Sequence, residues 1–149
     1  MTDLAEITFR KLTINDYDKM IDLWKKVGLP YKPKGRDSRE AIKKQIEDDS
    51  ELFLGAFHGE KLVGTVIGSY DFRMKGWINR LAVDPEYRGK GIAKRLVTQM
   101  EQILKNKGAV VIAALIELPN PTSLSLFKKL GYMIHDNIVY VTKRESDEV

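Results

Sequence analysis

The chain has 149 residues, the size of one ordinary domain, and its 43% of hydrophobic residues are enough to form a core. Lys and Arg together number 25 against 21 Asp and Glu, giving a formal net charge of +4. This mildly basic balance fits a phosphorylated ligand as well as it fits nucleic acid. Basic and acidic residues are interspersed, however, which argues against a dedicated nucleic-acid-binding face. The lack of cysteine excludes a disulfide framework, a cysteine nucleophile and a thiolate metal site.

Neither a targeting segment nor a membrane span is predicted. Asp3 and Glu6 stand where a signal peptide needs basic and apolar residues. The longest unbroken apolar run, residues 109–116, is too short to cross a bilayer. With only two histidines, His58 and His135, a histidine-rich metal centre is not expected either. We therefore expect a soluble, cytoplasmic protein that binds no metal and no membrane.

The first half of the chain predicts a strand, two helices and a strand pair. Apolar and polar residues first alternate, then apolar residues recur at three- and four-residue steps, and then the short period returns. In chain order the pattern predicts a strand over 7–12, a helix capped near 13–16 and ended near Gly28, a loop over 29–36, a helix capped by Asp37 or Ser38 and running to about 49, and strands over 52–57 and 62–70.

The second half continues with alternating strands and helices. The pattern predicts a strand over 76–83, a helix to about 107, an apolar strand over 109–116, a helix from 122 to Gly131, and a final hairpin over 132–135 and 138–142. The order β-α-α-β-β-β-α-β-α-β-β indicates an α/β domain with a mixed sheet covered by helices. One domain spans 1–149, with a polar tail from about 143. The strands joined by the long helix should be parallel neighbours.

The most informative segment is 79–94, Asn-Arg-Leu-Ala-Val-Asp-Pro-Glu-Tyr-Arg-Gly-Lys-Gly-Ile-Ala-Lys. In it a strand ends, and Gly89 and Gly91 open a helix. A helix N-terminus carries unpaired N–H groups and a partial positive charge, and glycine lets a phosphate approach them closely. Mobile positive charge is added by Arg88, Lys90 and Lys94. The segment therefore predicts a pyrophosphate-binding helix start, although a plain tight turn at the two glycines is the alternative.

Two other phosphate-binding loops do not fit. A Walker loop needs Gly-Lys-Ser/Thr at its end, whereas Gly91 is followed by Ile92 and Ala93. A dinucleotide-binding fingerprint needs a third glycine where Lys94 stands, and an acid about twenty residues on, where residues 110–112 are all apolar.

A third pattern does fit. Arg-x-x-Gly-x-Ala, at Arg88, Gly91 and Ala93, follows a strand ending Leu-Ala-Val at 81–83. Downstream, Asn120 precedes a helix ending Phe-Lys-Lys-Leu-Gly-Tyr at 127–132. Together these motifs resemble the GNAT superfamily of acyl-CoA-dependent N-acetyltransferases, and the resemblance covers residues 7–142, including the order of the elements.

The resemblance implies transfer of an acetyl group from acetyl-CoA to a primary amine of a peptide, a protein or a small molecule, by direct attack. Acetyl-CoA would lie in a V-shaped cleft where the fourth and fifth strands, ending at Val83 and Ile116, splay apart. An amide N–H near Val83 would stabilise the oxyanion. The residues implied in cofactor binding are Leu81, Ala82, Val83, Arg88, Gly89, Lys90, Gly91, Ile92, Ala93, Lys94, Asn120 and Phe127.

The chain departs from the family pattern at the catalytic positions. Many members have a proton-donating tyrosine where this chain has Phe127, and Tyr132 and Tyr140 are the possible substitutes. A thiol pKa near 8.5 makes the thiolate a tolerable leaving group without a donor. The nearest acid to the expected cleft is Glu117, which becomes the candidate general base through a water molecule.

The acceptor side is less defined. Tyr31 in the loop between the first two helices and Asp71 in the bend before Gly76 are candidate acceptor-binding residues. Asn120, followed by a proline, is also explained as a helix cap alone. Phe127, and the lack of a carboxylate base at the place where some family members have one, leave a non-catalytic acyl-CoA-binding module as the alternative function. Nucleic-acid binding is the third reading, and a homodimer is compatible with the family.

Overall fold

The computed structural model describes residues 3–149, so the first two residues of the predicted domain lie outside it. Its helices and strands confirm the predicted α/β class, with a five-stranded mixed sheet flanked by helices. They are β1 (Ile7–Lys11), α1 (Tyr17–Val27), α2 (Arg39–Asp48), β2 (Phe53–His58), β3 (Lys61–Tyr70), β4 (Lys75–Val83), α3 (Ile92–Lys107), β5 (Val111–Ala114) and α4 (Pro121–Lys129).

The strands lie in the sheet in chain order, from β1 at one edge to β5 at the other. Neighbouring strands from β1 to β4 run antiparallel, and β4 and β5 run parallel on either side of the α3 crossover, as predicted. The parallel pairing is short, because β4 pairs with β5 only over residues 75–78. Beyond Ile78 the two strands part, and residues 79–83 have no partner in β5.

Local capping explains where the first two helices begin and end. The Thr13 and Asp16 side chains form a capping box before α1, and Gly28 ends it in a left-handed conformation at φ 76°. The Ser38 hydroxyl accepts a hydrogen bond from the Ala41 amide at 3.1 Å and caps α2. Of the two predicted caps for that helix, Ser38 is therefore the one used. Among residues 3–149, none of the helices is long and apolar enough to span a membrane.

Two clusters of buried side chains form the core. One lies between the sheet and α3 and includes Leu96 and Met100, and the other lies between the sheet and helices α1 and α2 and includes Trp24. Phe53 and Leu54, neighbours in β2, belong to different clusters because successive side chains of a strand point to opposite faces. Helices thus cover both faces of the sheet.

Helix α3 lies close against the sheet because glycines face it. A Cβ atom added at Gly76 would lie 2.9 Å from Cδ1 and 3.1 Å from Cβ of Leu104. One added at Gly68 would lie 2.5 Å from Sδ of Met100. Both distances are shorter than ordinary packing contacts, so the absence of these side chains sets how near α3 sits to β3 and β4.

The predicted final hairpin is not formed, and this part of the sequence prediction was wrong. Residues 132–149 contain no strand, and Ile138, Val139 and Val141 are exposed. Only the last residues of this segment contact the loop between α1 and α2, where Lys34 pairs with Glu148 at 3.2 Å. Alternating apolar residues make a strand only when they meet a sheet edge, and these residues do not reach β5.

The strand predicted over 109–116 is also shorter than expected. Only Val111–Ala114 pairs with β4, and Leu115 is exposed where β5 leaves the sheet. The continuous apolar run predicted a strand covered on both faces along its whole length. Its last residues face the opening between the two strands instead.

We expect Gly76→Ala to lower the free energy of unfolding by about 1–3 kcal/mol, since the added methyl group meets Leu104. Leu104→Ala alone should cost about 2–5 kcal/mol. The double variant should lose less than the sum, because the new methyl occupies space vacated by the leucine. Urea unfolding of the four proteins measures this coupling, and strictly additive losses would contradict the close contact.

Candidate functional site

The end of β4 presents polar backbone groups to the opening between β4 and β5. The Asp84 amide donates to the Val63 carbonyl of β3 at 2.8 Å, so residue 84 faces β3. Backbone groups alternate along a strand, which directs the N–H and C=O of Val83 and Leu81 to the opposite, open side. Consistent with this, Arg88 Nε donates to the Val83 carbonyl at 3.3 Å. The open edge therefore carries hydrogen-bonding groups that no strand satisfies.

A bulge in β4 sets this alternation. Thr65 pairs with Ala82 and Ile67 with Asn79, so two residues of β4, Arg80 and Leu81, stand opposite the single residue between them on β3. Arg80 takes φ 53°, a left-handed conformation that costs a residue with a side chain about 1–2 kcal/mol. The bulge is thus a local strain maintained by the contacts around it.

The Arg80 side chain ties the bulge to the loop between α1 and α2. Its guanidinium donates to Asp37 Oδ2 at 2.9 Å and also to the Pro30 carbonyl. Asp37 is buried and also accepts from the Lys32 amide at 2.7 Å. Burial lowers the pKa of Arg80, and the nearby Asp37 carboxylate opposes that shift. The pair was not singled out from sequence, although two polar residues interrupting the apolar strand at 79–80 are a signal of irregular strand geometry.

The start of α3 is arranged as the sequence predicted a phosphate site would be. Gly89 and Gly91 take left-handed conformations at φ 76° and 86°, which glycine adopts without steric cost. Gly91 is the N-cap residue and supplies no capping side chain, and the first turn of α3 contains no acidic residue. The first amides of α3 are therefore left for an anion.

A cavity of about 930 Å³ lies between the end of β4, the start of α3 and α4. Every residue expected to bind the cofactor lines it except Lys90 and Phe127. Asn120 lies in its wall and also caps α4, its side-chain oxygen accepting from the Ser123 amide at 3.2 Å. Asn120 is therefore both the N-cap of α4 and a residue of the cavity wall.

A second cavity, of about 1260 Å³, adjoins the first on the side of the α1–α2 loop. The two share five wall residues, which are Val27, Leu29, Leu81, Asn120 and Ser123. The ionisable side chains of the second cavity have both signs, and they are Arg36, Asp37, Asp48, Asp49, Arg80, Glu117, Tyr140 and Arg144. The second, charged compartment thus adjoins the first at Leu81.

The catalytic candidates lie in different surroundings. Glu117 is exposed and lines the second cavity, just beyond the end of β5. Phe127 is 4% exposed and also borders that cavity, its ring set edge-on to Tyr132 with centroids 4.8 Å apart. The Tyr132 hydroxyl donates to Glu101 at 2.6 Å, and burial together with this carboxylate raises the pKa of Tyr132. The Tyr132 hydroxyl therefore keeps its proton in a hydrogen bond to Glu101 of α3. Of the two tyrosines considered as substitutes, Tyr140 is the one that lines the second cavity.

The two candidate acceptor-binding residues line neither cavity. Tyr31 packs against the α1 side of the core, with Lys25 Nζ 5.5 Å from its ring centroid. Asp71 accepts hydrogen bonds from the amides of Arg73 and Lys75 at 2.9 and 3.3 Å, and so stabilises the bend before β4. In the described part of the chain, no group of three or more histidine or acidic side chains is placed to hold a metal ion.

Asp84 connects the end of β4 to the turn that leads to α3. Its carboxylate is buried and accepts from the Glu86 amide at 3.0 Å and from Lys26 Nζ at 2.8 Å. Burial alone would raise the pKa of Asp84, but these hydrogen bonds and the lysine charge lower it overall. The carboxylate thus stabilises the turn in its ionised form.

Asp84→Asn should therefore reduce stability at neutral pH. Because the pKa of Asp84 in the folded state lies below its unfolded value of about 3.9, the carboxylate contributes fully above that value. Its contribution is lost as the pH falls through the folded-state pKa. Urea unfolding at several pH values should show the two proteins converging below about pH 4. Glu86→Gln, at an exposed carboxylate, is the control and should change stability little. A constant difference across pH would contradict this account.

Residues 16–132 match the acetyltransferase (GNAT) family. The chain is 32% identical over 132 residues to acetyltransferase SG1711 of Sodalis glossinidius, covering 87% of this chain and 89% of the relative. It is 31% identical over 127 residues to an acetyltransferase of Yersinia pestis, covering 84% and 86%. The structure is similar to PaiA N-acetyltransferase of Thermoplasma acidophilum in complex with coenzyme A, with a TM-score of 0.76, 26% identity, and coverage of 89% and 92%.

Proposed function

The chain belongs to the acetyltransferase (GNAT) family, and on that premise we propose that it acetylates a primary amine with acetyl-CoA by direct attack on the thioester. The observation that carries the proposal is the meeting of the two cavities at Leu81 and Asn120. One compartment adjoins free helix amides and basic side chains, and the other is open and charged. Their junction lies at the unpaired end of β4.

The first cavity suits the cofactor. The amides at the start of α3, with Arg88, Lys90 and Lys94 near them, match a pyrophosphate in charge and hydrogen bonding. The backbone groups of Leu81 and Val83 at the open edge can hydrogen-bond to the amides of the extended pantetheine arm, as one strand does to another. The coenzyme A complex of the PaiA relative supports this assignment.

The second cavity suits the amine. In the proposed step the amine nitrogen attacks the thioester carbonyl carbon, a C–N bond forms and the C–S bond breaks. The Val83 N–H, on the open side of β4, donates to the oxyanion. Glu117 takes the proton from the incoming ammonium through a water molecule. The thiolate leaves without a donor at Phe127, since a thiol pKa near 8.5 allows this near neutral pH. The second proton of the amine is lost to solvent as the C–S bond breaks.

One observation favours a second candidate, an acyl-CoA-binding module without transferase activity. Phe127 has no proton to give, and the neighbouring Tyr132 is committed to Glu101. Such a module would bind acetyl-CoA at the same residues and release no thiol in the presence of amines. The two functions are therefore separated by one assay.

Calorimetric titration with acetyl-CoA, followed by measurement of free thiol with a panel of peptide, polyamine and small-molecule amines, tests the proposal. Binding with amine-dependent thiol release is the expected result. Binding without release from any amine would favour the non-catalytic module. Absence of binding would overturn both functions, because both need the first cavity.

Replacement of Gly91 tests the cofactor site. A side chain at Gly91 has open space, with Leu4 Cδ2 at 3.9 Å, but must adopt φ 86°. Gly91→Glu and Gly91→Gln share this backbone strain and nearly the same volume, and they differ in charge. We expect Gly91→Gln to retain part of the acetyl-CoA affinity and Gly91→Glu to lose at least about tenfold more, because its carboxylate opposes the pyrophosphate.

Calorimetry on the two Gly91 variants gives the comparison, and Gly131→Glu is the control. Gly131 also has a positive φ, 92°, but lies outside both cavities. Equal acetyl-CoA affinity of the Glu and Gln variants at position 91 would show that the pyrophosphate does not bind at this helix start.

Glu117→Gln tests the base. We expect kcat to fall about 10²-fold, because the amide cannot accept the amine proton, while KM for acetyl-CoA stays unchanged. Glu47→Gln, at an exposed carboxylate on α2 away from both cavities, should behave as the unsubstituted protein. An unchanged kcat in Glu117→Gln would show that the proton leaves by another route.

A further inference from the structure

A buried chain of hydrogen bonds ends at the bulge of β4. The indole N–H of Trp24 in α1 donates to the Thr65 hydroxyl of β3 at 3.0 Å. That hydroxyl donates in turn to the Arg80 carbonyl at 2.9 Å. Trp24 and Thr65 are both 0% exposed, so water does not compete for these groups. These two hydrogen bonds thus connect α1 and β3 to Arg80, the residue of β4 with the left-handed backbone.

The Thr65 hydroxyl is not needed to fill the core. Thr65 is fully buried, and valine has nearly the shape of threonine, so a methyl group in place of the hydroxyl would fill the same space. A bulge interrupts the regular ladder and leaves a backbone group in need of another partner. Thr65 supplies that partner by donating to the Arg80 carbonyl, and its hydroxyl oxygen accepts from the Trp24 indole N–H.

Arg80 is held from its side chain as well. Its guanidinium lies over the Trp24 ring, 5.0 Å from the centroid, and pairs with Asp37 at 2.9 Å. Two groups thus hold the bulge, the Thr65 hydroxyl and the Arg80 side chain. Trp24 contacts both of them, the first through its N–H and the second through its ring. These contacts offset the cost of the left-handed backbone at Arg80.

The bulge matters because strand alternation has a period of two. One extra residue in β4 exchanges which backbone groups beyond it face β3 and which face the opening. With the bulge in place, Leu81 and Val83 face the opening. We propose that Thr65, held by Trp24, is a positioning residue for acetyl transfer: it fixes the bulge that aims the Leu81 and Val83 amides into the cleft. This inference rests on the proposed function.

Thr65→Val and Thr65→Ser test the inference. The valine variant keeps the shape and removes the hydroxyl, and the serine variant restores the hydroxyl. We expect kcat per acetyl-CoA-binding site to fall about tenfold or more in Thr65→Val, with KM for acetyl-CoA changed less than about threefold. Thr65→Ser should recover most of the lost kcat. Trp24→Phe removes the indole N–H that holds the Thr65 hydroxyl and leaves the hydroxyl itself in place, so a smaller loss of kcat is expected.

Ile42→Val is the control for destabilisation alone. Ile42 is buried in α2, lines neither cavity and has no part in the hydrogen bonds at the bulge. Its variant should lose stability and keep kcat per binding site. A Thr65→Val protein that retains full kcat per binding site would overturn the inference. If Thr65→Val does not fold, Trp24→Phe decides: an unchanged kcat per site would overturn it.

A failure of the proposed function is distinguishable from a failure of this inference. If the unsubstituted protein releases no thiol with any amine, the function fails and the kinetic readout is lost. The amide resonances of Leu81 and Val83 in ¹⁵N spectra of the ligand-free proteins then decide. Displacement of both in Thr65→Val, with recovery in Thr65→Ser, supports the positioning role. Identical resonances in all three proteins would overturn it.

Discussion

The parting of β4 from β5 after Ile78 is the constraint on which the rest of the site depends. If β4 and β5 were paired along their whole length, no cleft would open between them. Here β4 instead continues for five residues, 79–83, without pairing to β5. Unpaired edge groups usually invite aggregation or must be covered. In this protein the unpaired groups of β4 lie between two cavities. In the proposed function they hydrogen-bond to the amide groups of coenzyme A.

Two further features make that edge usable. Helix α3 lies close to the sheet because Gly68 and Gly76 leave room for Met100 and Leu104. Its N-terminus lines the same cavity as the end of β4. The bulge at Arg80 sets the direction of the backbone groups beyond it. The helix start offers amides for a phosphate, and the strand offers amides for an extended chain and for an oxyanion. One coenzyme molecule would use both.

Much of this arrangement was predictable from sequence, because the residues involved have local signatures. The change from helical to strand period located the five strands of the sheet, and Gly89 and Gly91 located the open helix start. The bulge was not predictable in the same way, since one extra residue leaves the apolar pattern nearly intact. The two cavities were likewise hidden, because their walls come from loops that are distant in sequence.

The error at the C-terminal end has a physical origin. The hairpin over 132–142 was inferred from alternation alone, and alternation does not show whether a sheet edge is within reach. Tyr31 and Asp71 were chosen by loop position and stay predictions; the structure adds that Tyr31 packs on α1 and that Asp71 stabilises a bend. Asp37 and Arg80, which pair with each other, line the second cavity. Tertiary partners decide which loop side chains face a cavity, and these partners are not local in sequence.

The central claim is that the open end of β4 and the start of α3 together hold the acyl donor. A crystal structure of the protein with coenzyme A tests it most directly. The account predicts the pyrophosphate at the amides of residues 89–92, and the pantetheine amides hydrogen-bonded to Leu81 and Val83. Coenzyme A bound elsewhere, or at α3 with its arm turned away from β4, would contradict the account.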